Sequence, residues 1–389
     1  MNFAIVINTY IRTNDNKRDF FDHPTPLNDF ENKNTLHKTI DSINKLNVGK
    51  NDNISVYIFA VAAHEDVSKD GIIIEKIEKI MEGFKYNFYI YTNTDIQCCK
   101  EKYNSLFFSS KGYPEIRNQG FIFPIMNCED VIIQIDDDEL LRENYILKTK
   151  ELLEKNPDKY VFTAPYEKNG TIRITGEDKL KTWKKTTSMD MDIVRFMKSP
   201  KPQESIFGFG GNMIIRKEFA EKMYYPLDVP RGEDFSLLLA SRLIYENGNE
   251  YAEIKEKNPI FKSYFIYDKD ITIIHEPPYE ANDDFLFYVE KNLKRFILEW
   301  LMIKGQSNFK FNDLKKYSYY LYEMIGYDDY ISKIYEILEE LKEFYPKESI
   351  ENLKKELISF YNKNYSENRF EKFKKLQKEY ISLINRIKV

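Results

Sequence analysis

Cysteine is almost missing: the 389 residues hold three, Cys98, Cys99 and Cys128, two of them adjacent. An odd count without metal-ligand spacing excludes a disulfide framework and a zinc finger, and a reducing cytoplasm is the expected location. Histidine is nearly as scarce, with four residues, so one at the end of a strand stands out as a ligand candidate. Positive charge is not in excess: 58 Lys and Arg face 63 Asp and Glu, which disfavours nucleic acid as a partner. No apolar run reaches the ~18 residues of a membrane span. The opening MNFAIVINTY turns polar at once and lacks the basic start and cleavage site of a secretory signal.

What is abundant is aromatic. Tyr 29 and Phe 28 against 14 Gly imply an interior filled with rings, and the length allows one large domain or two. FAIVINTY, ISVYIFAVAA, YNFYIYTN, DVIIQIDDDE and YVFTAPY read as strands. Between them, TLHKTIDSINKL carries a helical stripe of Leu36, Ile40, Ile43 and Leu46. IIIEKIEKIMEGF, EIRNQGFIFPIM and ENYILKTKELLEKNP are further expected helices, the last stopped by Pro157. This alternation predicts an α/β unit over residues 1–280 with a largely parallel sheet, whose ligands sit at the carboxyl ends of strands. The polar stretch from Ile11 to Asn34 shows no periodicity and is expected as a loop, either functional or a surface excursion.

Beyond Pro277 and Pro278 glycine all but vanishes, and four amphipathic segments predict a helical region over residues 281–389. The last, RFEKFKKLQKEYISLINRI, is basic on one side and apolar on the other. Packing on the preceding unit is the expected use of such a helix. Peripheral contact at the inner membrane face and self-association are the others.

Several short motifs carry chemistry. VIIQIDDDELL runs an apolar strand into Asp136, Asp137 and Asp138. Acidic residues do favour helix starts, but stacked carboxylates also suit Mn²⁺ or Mg²⁺, which bind oxygen and leave positions for substrate phosphates. FGFGGNMIIRKEFA sets Gly210 and Gly211 before a strand, where the backbone can approach a ligand closely. RGEDFSLLLASRL opens a helix with Glu233 and Asp234, and ITIIHEPP ends a strand with His275. In LKTWKKTT, the Trp183 ring suits either a sugar face or the core, and Lys184 and Lys185 hint at an anionic acceptor.

Taken in order, INTYIR, EIRNQG, IDDDE, GFGGNMIIRKE, GED and IIHEPP resemble a GT-A fold glycosyltransferase of the family 2 type, over residues 1–280. The resemblance implies a Rossmann-like nucleotide-diphospho-sugar transferase domain followed by the α-helical region. It places Thr9 and Tyr10 in the nucleotide pocket, Glu65 or Asp66 at the base or ribose, and Arg117 by the donor phosphates. Asp136 and Asp138 would bracket the metal and donor, with Asp137, Gly210 and Gly211 at the donor and His275 completing the metal site. The cofactor would be Mn²⁺ or Mg²⁺. The partners would be a nucleotide-sugar donor and a hydroxyl acceptor (a glycan, a lipid-linked glycan or a small polar molecule). Asp234 is the expected base, with Glu233 second, giving inversion; a retaining GT-A enzyme shares similar elements. The chain departs from the pattern in AAHEDVSKDG, where the family has D-D-G-S, and in the long insertion after Tyr10. A sugar-phosphate nucleotidyltransferase would want a glycine-rich loop after the first strand, and NTYIRTNDNKRDFF has no glycine. A non-catalytic scaffold working through its helices is the third reading.

Overall fold

The computed structural model describes residues 1–13, 20–22, 24–248, 258–278 and 284–388. Four parallel strands, β1 (Asn2–Arg12), β2 (Asn53–Ala62), β3 (Asn87–Tyr91) and β4 (Val131–Asp136), stand in spatial order β3-β2-β1-β4. They alternate with helices α1 (Leu36–Asn44), α2 (Asp70–Ile80), α3 (Asn93–Tyr103) and α4 (Tyr113–Met126). Helix α3 has no counterpart in the sequence reading. β1 and β2 are buried along almost their whole length. Helices cover both faces of a parallel sheet, so its inner strands read as continuous apolar runs.

After β4 come β5 (Glu139–Leu140), α5 (Tyr145–Lys155), β6 (Val161–Thr163), β7 (Tyr166–Glu167) and α6 (Lys185–Phe196). Then follow β8 (Gln203–Glu204), β9 (Met213–Arg216), α7 (Glu233–Asn247), β10 (Ser263–Phe265) and β11 (Ile273–His275). The main sheet continues β4-β9-β6-β10-β8, with β9 antiparallel to both neighbours. A second, small sheet has the order β5-β11-β7.

Successive β1 side chains feed opposite cores, as the two-residue period of a strand requires. Phe3, Ile5 and Ile7 pack with Ile40, Ile77 and Ile146 of α1, α2 and α5. Ala4 and Val6 belong to the other core, with α4, α7 and the C-terminal helices. Those are α8 (Phe285–Lys304), α9 (Tyr319–Ile325), α10 (Tyr330–Leu341), α11 (Lys347–Tyr365) and α12 (Arg369–Ile387). The α/β sheet and the helical C-terminal region expected from the sequence are both present.

The apolar face of α12 turns inward. Phe373 stacks on Tyr224 at 4.7 Å, and the Tyr380 hydroxyl donates to the Ala220 carbonyl at 2.7 Å. Phe373 and Tyr380 are therefore engaged in packing. Among the described residues no helix is long and apolar enough to cross one.

The stretch after β1 is anchored at several described residues, rather than a plain loop. Thr25–Pro26 pairs in parallel with the end of β1, Phe21 stacks on Tyr10 at 4.3 Å, and Phe30 is buried. Lys17 and Arg18 lie outside the described residues.

Candidate active site

β4 ends at Asp136, level with Asn8 of β1. The chain then reverses tightly. The Asp136 amide donates to Glu139 Oε2 at 2.8 Å, and Glu139 starts β5, which pairs with β11 through His275. This pairing carries His275 Nε2 to 3.2 Å from Asp138 Oδ2. The Glu276 amide fixes the same corner by donating to the Asp138 carbonyl at 2.8 Å. Tyr166 of β7 packs its ring 4.7 Å from the imidazole.

Four consecutive acidic residues thus crowd one turn. Burial pushes Asp136, Asp137 and Glu139 above the usual carboxylate range. Like charge reinforces it: Asp138 at Asp137, and Asp136 with Asp138 at Glu139. Arg117 opposes the rise at Asp136. Its Nη2 donates to Asp136 Oδ1 at 2.7 Å and its Nε to Glu233 Oε1 at 3.2 Å. Arg117 sits on α4, which is buried over most of its length, so its guanidinium meets only side chains of the site.

Glu233 and Asp234 occupy the first turn of α7. Gly232 before them has φ +67, and a Cβ there would stand 1.9 Å from Arg295 Nη1, so glycine is required by conformation and by space. Burial raises both carboxyl groups, opposed by Arg117 at Glu233 and by Arg295 at Asp234. Gly210 is wedged between them: its Cβ would lie 3.3 Å from both Arg117 Nη2 and Asp234 Cβ. A Cβ on Gly211 would come within 1.9 Å of Glu139 Oε1.

These groups line one cleft of about 440 Å³. It takes in Tyr10, Arg117, Asp136, Asp137 and Asp138 from the parallel half of the chain. Gly210, Gly211, Glu233, Asp234 and His275 join from the other half. Thr9, Glu65 and Asp66 are not part of the lining. Thr9 points to the face of β1 opposite Asn8 and Tyr10, and its hydroxyl instead donates to Asp137. Asp66 accepts from Thr13 Oγ1 at 2.9 Å and Ser68 Oγ at 2.7 Å, capping a short turn. Glu65 has Lys111 at 3.8 Å.

Among the described residues no three His, Cys, Asp or Glu side chains converge as a metal-ligand set. Asp136 is engaged by Arg117, which leaves Asp138 and His275 as an adjacent pair. That pair fits a hard divalent cation, which takes one or two protein ligands and fills its remaining positions with substrate oxygens and water.

Other cleft residues escaped the sequence reading: Asn8, Glu139, Tyr166, Arg231 and Arg295. Three had a signal. Asn8 lies two residues before Tyr10 and so shares its face, Glu139 directly follows the aspartates, and Arg231 directly precedes GED. Arg295 had none. Of the LKTWKKTT residues, Lys185 lines the cleft and Lys184 does not. Trp183 is a core residue: its indole N–H donates to Met324 Sδ at 2.8 Å, among Phe285, Tyr288 and Phe296.

No protein-family model matches the chain, and no curated protein matches it in sequence. Solved structures do. A mannosyltransferase of Pyrobaculum calidifontis, PcManGT, solved with GDP-Man and Mn²⁺, aligns over 99% of this chain and 86% of its own at 9% identity, with a TM-score of 0.48. TarS of S. aureus aligns over 94% of this chain and 55% of its own at 9% identity and a TM-score of 0.41. Mouse xyloside xylosyltransferase 1, in its apo form, aligns over 67% of this chain and 80% of its own at 12% identity and a TM-score of 0.32.

Proposed function

We propose that this protein is a GT-A glycosyltransferase that moves a sugar from a nucleoside-diphosphate sugar to an acceptor hydroxyl, with the help of a divalent cation. The observation that carries this reading is the junction of Asp138 and His275 at 3.2 Å, in a cleft that also holds Arg117 and Asp234. The pair would hold Mn²⁺ or Mg²⁺, which when bound offsets the charge that builds on the leaving diphosphate. Arg117 would steady the donor phosphates and fix Asp136 beside them. Asn8 and Tyr10 would meet the donor on the β1 side.

Asp234 is assigned as the general base. The acceptor oxygen attacks the anomeric carbon, the bond from that carbon to the diphosphate oxygen breaks, and the hydroxyl proton passes to the Asp234 carboxylate. Burial suits the role, because a carboxylate raised toward neutrality is a stronger proton acceptor. A single base facing the acceptor implies inversion. Residues 1–280 would form the donor-binding unit, with residues 281–389 closing the cleft through Arg295 and Tyr320.

Donor binding tests the reading. UDP-, GDP-, dTDP- and CMP-sugars would be titrated with Mn²⁺, Mg²⁺ or EDTA, onto wild type and Asp138→Ala. One nucleotide sugar should stabilise the wild type in a metal-dependent way, by about 2–3 kcal/mol at a hundredfold excess over Kd, and the variant should lose the effect. No binding of any donor would turn the reading to a nucleotidyltransferase or a scaffold.

A further inference from the structure

Three cations enter the cleft from separate elements: Lys185 at the start of α6, Arg231 just before α7, and Arg295 on α8. They gather about Tyr288. The Arg231 guanidinium lies 4.6 Å from the Tyr288 ring centroid and the Lys185 ammonium 5.3 Å. Burial pushes the Tyr288 hydroxyl up, yet Lys185 and Arg231 together hold it below its ordinary range, which reports a positive local field.

The carboxylates that face these cations do not absorb them. Asp22 is shared between Arg231 and Lys291. Glu299 Oε1 stands 3.5 Å from Arg295 Nε, beyond a hydrogen bond, while Arg295 Nη2 donates to the Tyr320 hydroxyl at 2.7 Å. Asp234 is the second carboxylate felt by Arg295, after Glu299. Lys185 has no carboxylate partner among the described residues.

We propose that Lys185, Arg231 and Arg295 form a subsite for a phosphate group carried by the acceptor, next to the hydroxyl that reacts. Cations arriving from three directions suit the several oxygens of a tetrahedral phosphate. The acceptor side follows from position. Arg231 is three residues from Asp234 across Gly232, so an anion held there stands beside the base. The assignment to the acceptor rests on the glycosyltransferase reading; the anion site itself does not.

The test uses methyl phosphate as the probe, with acetate as control. Each is titrated by calorimetry onto the full chain saturated with UDP or GDP and Mg²⁺. Methyl phosphate should bind the nucleotide-loaded protein and acetate should not. Lys185→Gln should weaken methyl phosphate about tenfold, and Lys185→Arg should restore it. Competition between methyl phosphate and nucleotide would overturn the proposal, because the cations would then belong to the donor diphosphate. Equal affinity in Lys185→Gln, or no binding, would overturn it too. If no nucleotide binds the wild type, the glycosyltransferase reading falls separately. The same titration on the free protein then decides the subsite alone, retained by Lys185-dependent binding and removed by its absence.

Discussion

His275 Nε2 and Asp138 Oδ2 meet at 3.2 Å because the β5–β11 pairing sets His275 opposite Glu139, one residue beyond Asp138. The Tyr166 ring packs on the imidazole, and His275 Nδ1 has no hydrogen-bond partner among the described residues. Asp138→Ala and His275→Ala should each abolish the metal-dependent rise in melting temperature. Turnover should fall by about two orders of magnitude or more, with an unchanged far-ultraviolet spectrum. A metal response that survives both substitutions would move the cation site elsewhere.

Gly211 and Glu139 form a second close relationship. The Glu139 carboxylate lies where a Cβ on residue 211 would stand, and it is tied to the Asp136 amide. Gly211→Ala must displace that carboxylate or shift the strand end. A loss of about 1–3 kcal/mol in urea unfolding is expected, with reduced activity as Asp136 moves. A variant as stable as the wild type would show that the turn yields freely.

Asp234→Asn should lower kcat by about 10²- to 10⁴-fold while calorimetry finds donor affinity nearly intact. Loss of donor binding as well would remove the base assignment. The pH profile gives an independent reading. The base acts only when ionised, and burial raises its pKa. The acid limb of kcat/KM should therefore fall away as pH drops through a value above the ordinary ~4 of an aspartate. An acid limb at the ordinary value would point to a solvated group instead.

Asn8 is completely buried, and neither its Oδ1 nor its Nδ2 has a hydrogen-bond partner, although it lines the cleft. An amide with nothing to bond destabilises the free protein and gains only when a ligand pairs with it. Asn8→Ala should leave the melting temperature of the free protein unchanged or higher. It should weaken nucleotide-sugar binding about five- to tenfold. A clear loss of free-protein stability, with donor affinity kept, would make Asn8 a packing residue.

Much of this could be read from the chain. The apolar runs of β1, β2 and β4 follow from burial on both sheet faces, and the stripe of Leu36, Ile40 and Ile43 follows from a helix with one buried face. The aspartates, GED and His275 stood out as ligand-capable side chains at the ends of elements, where an α/β sheet binds its ligands. What stayed hidden depends on distant partners. β9 inserts antiparallel between β4 and β6, and nothing local to MIIR distinguishes that from a parallel edge. Thr9 was read as a pocket residue because β1 was expected to end there; it runs on to Arg12, so strand alternation turns Thr9 away. Arg295 sits mid-helix among apolar residues and enters the cleft only because Gly232 leaves room for its guanidinium. Lengths also mislead: β5 and β7 have two residues each, too few for any pattern.

That small sheet has a consequence in time. Its strands are too short to hold together alone, and they join segments widely separated along the chain. During synthesis, a chain that has released Asp138 but not yet His275 already owns its carboxylates and lacks the imidazole beside them. On the proposed function, competence to grip a cation would therefore wait until the β11 segment has emerged and docked between β5 and β7.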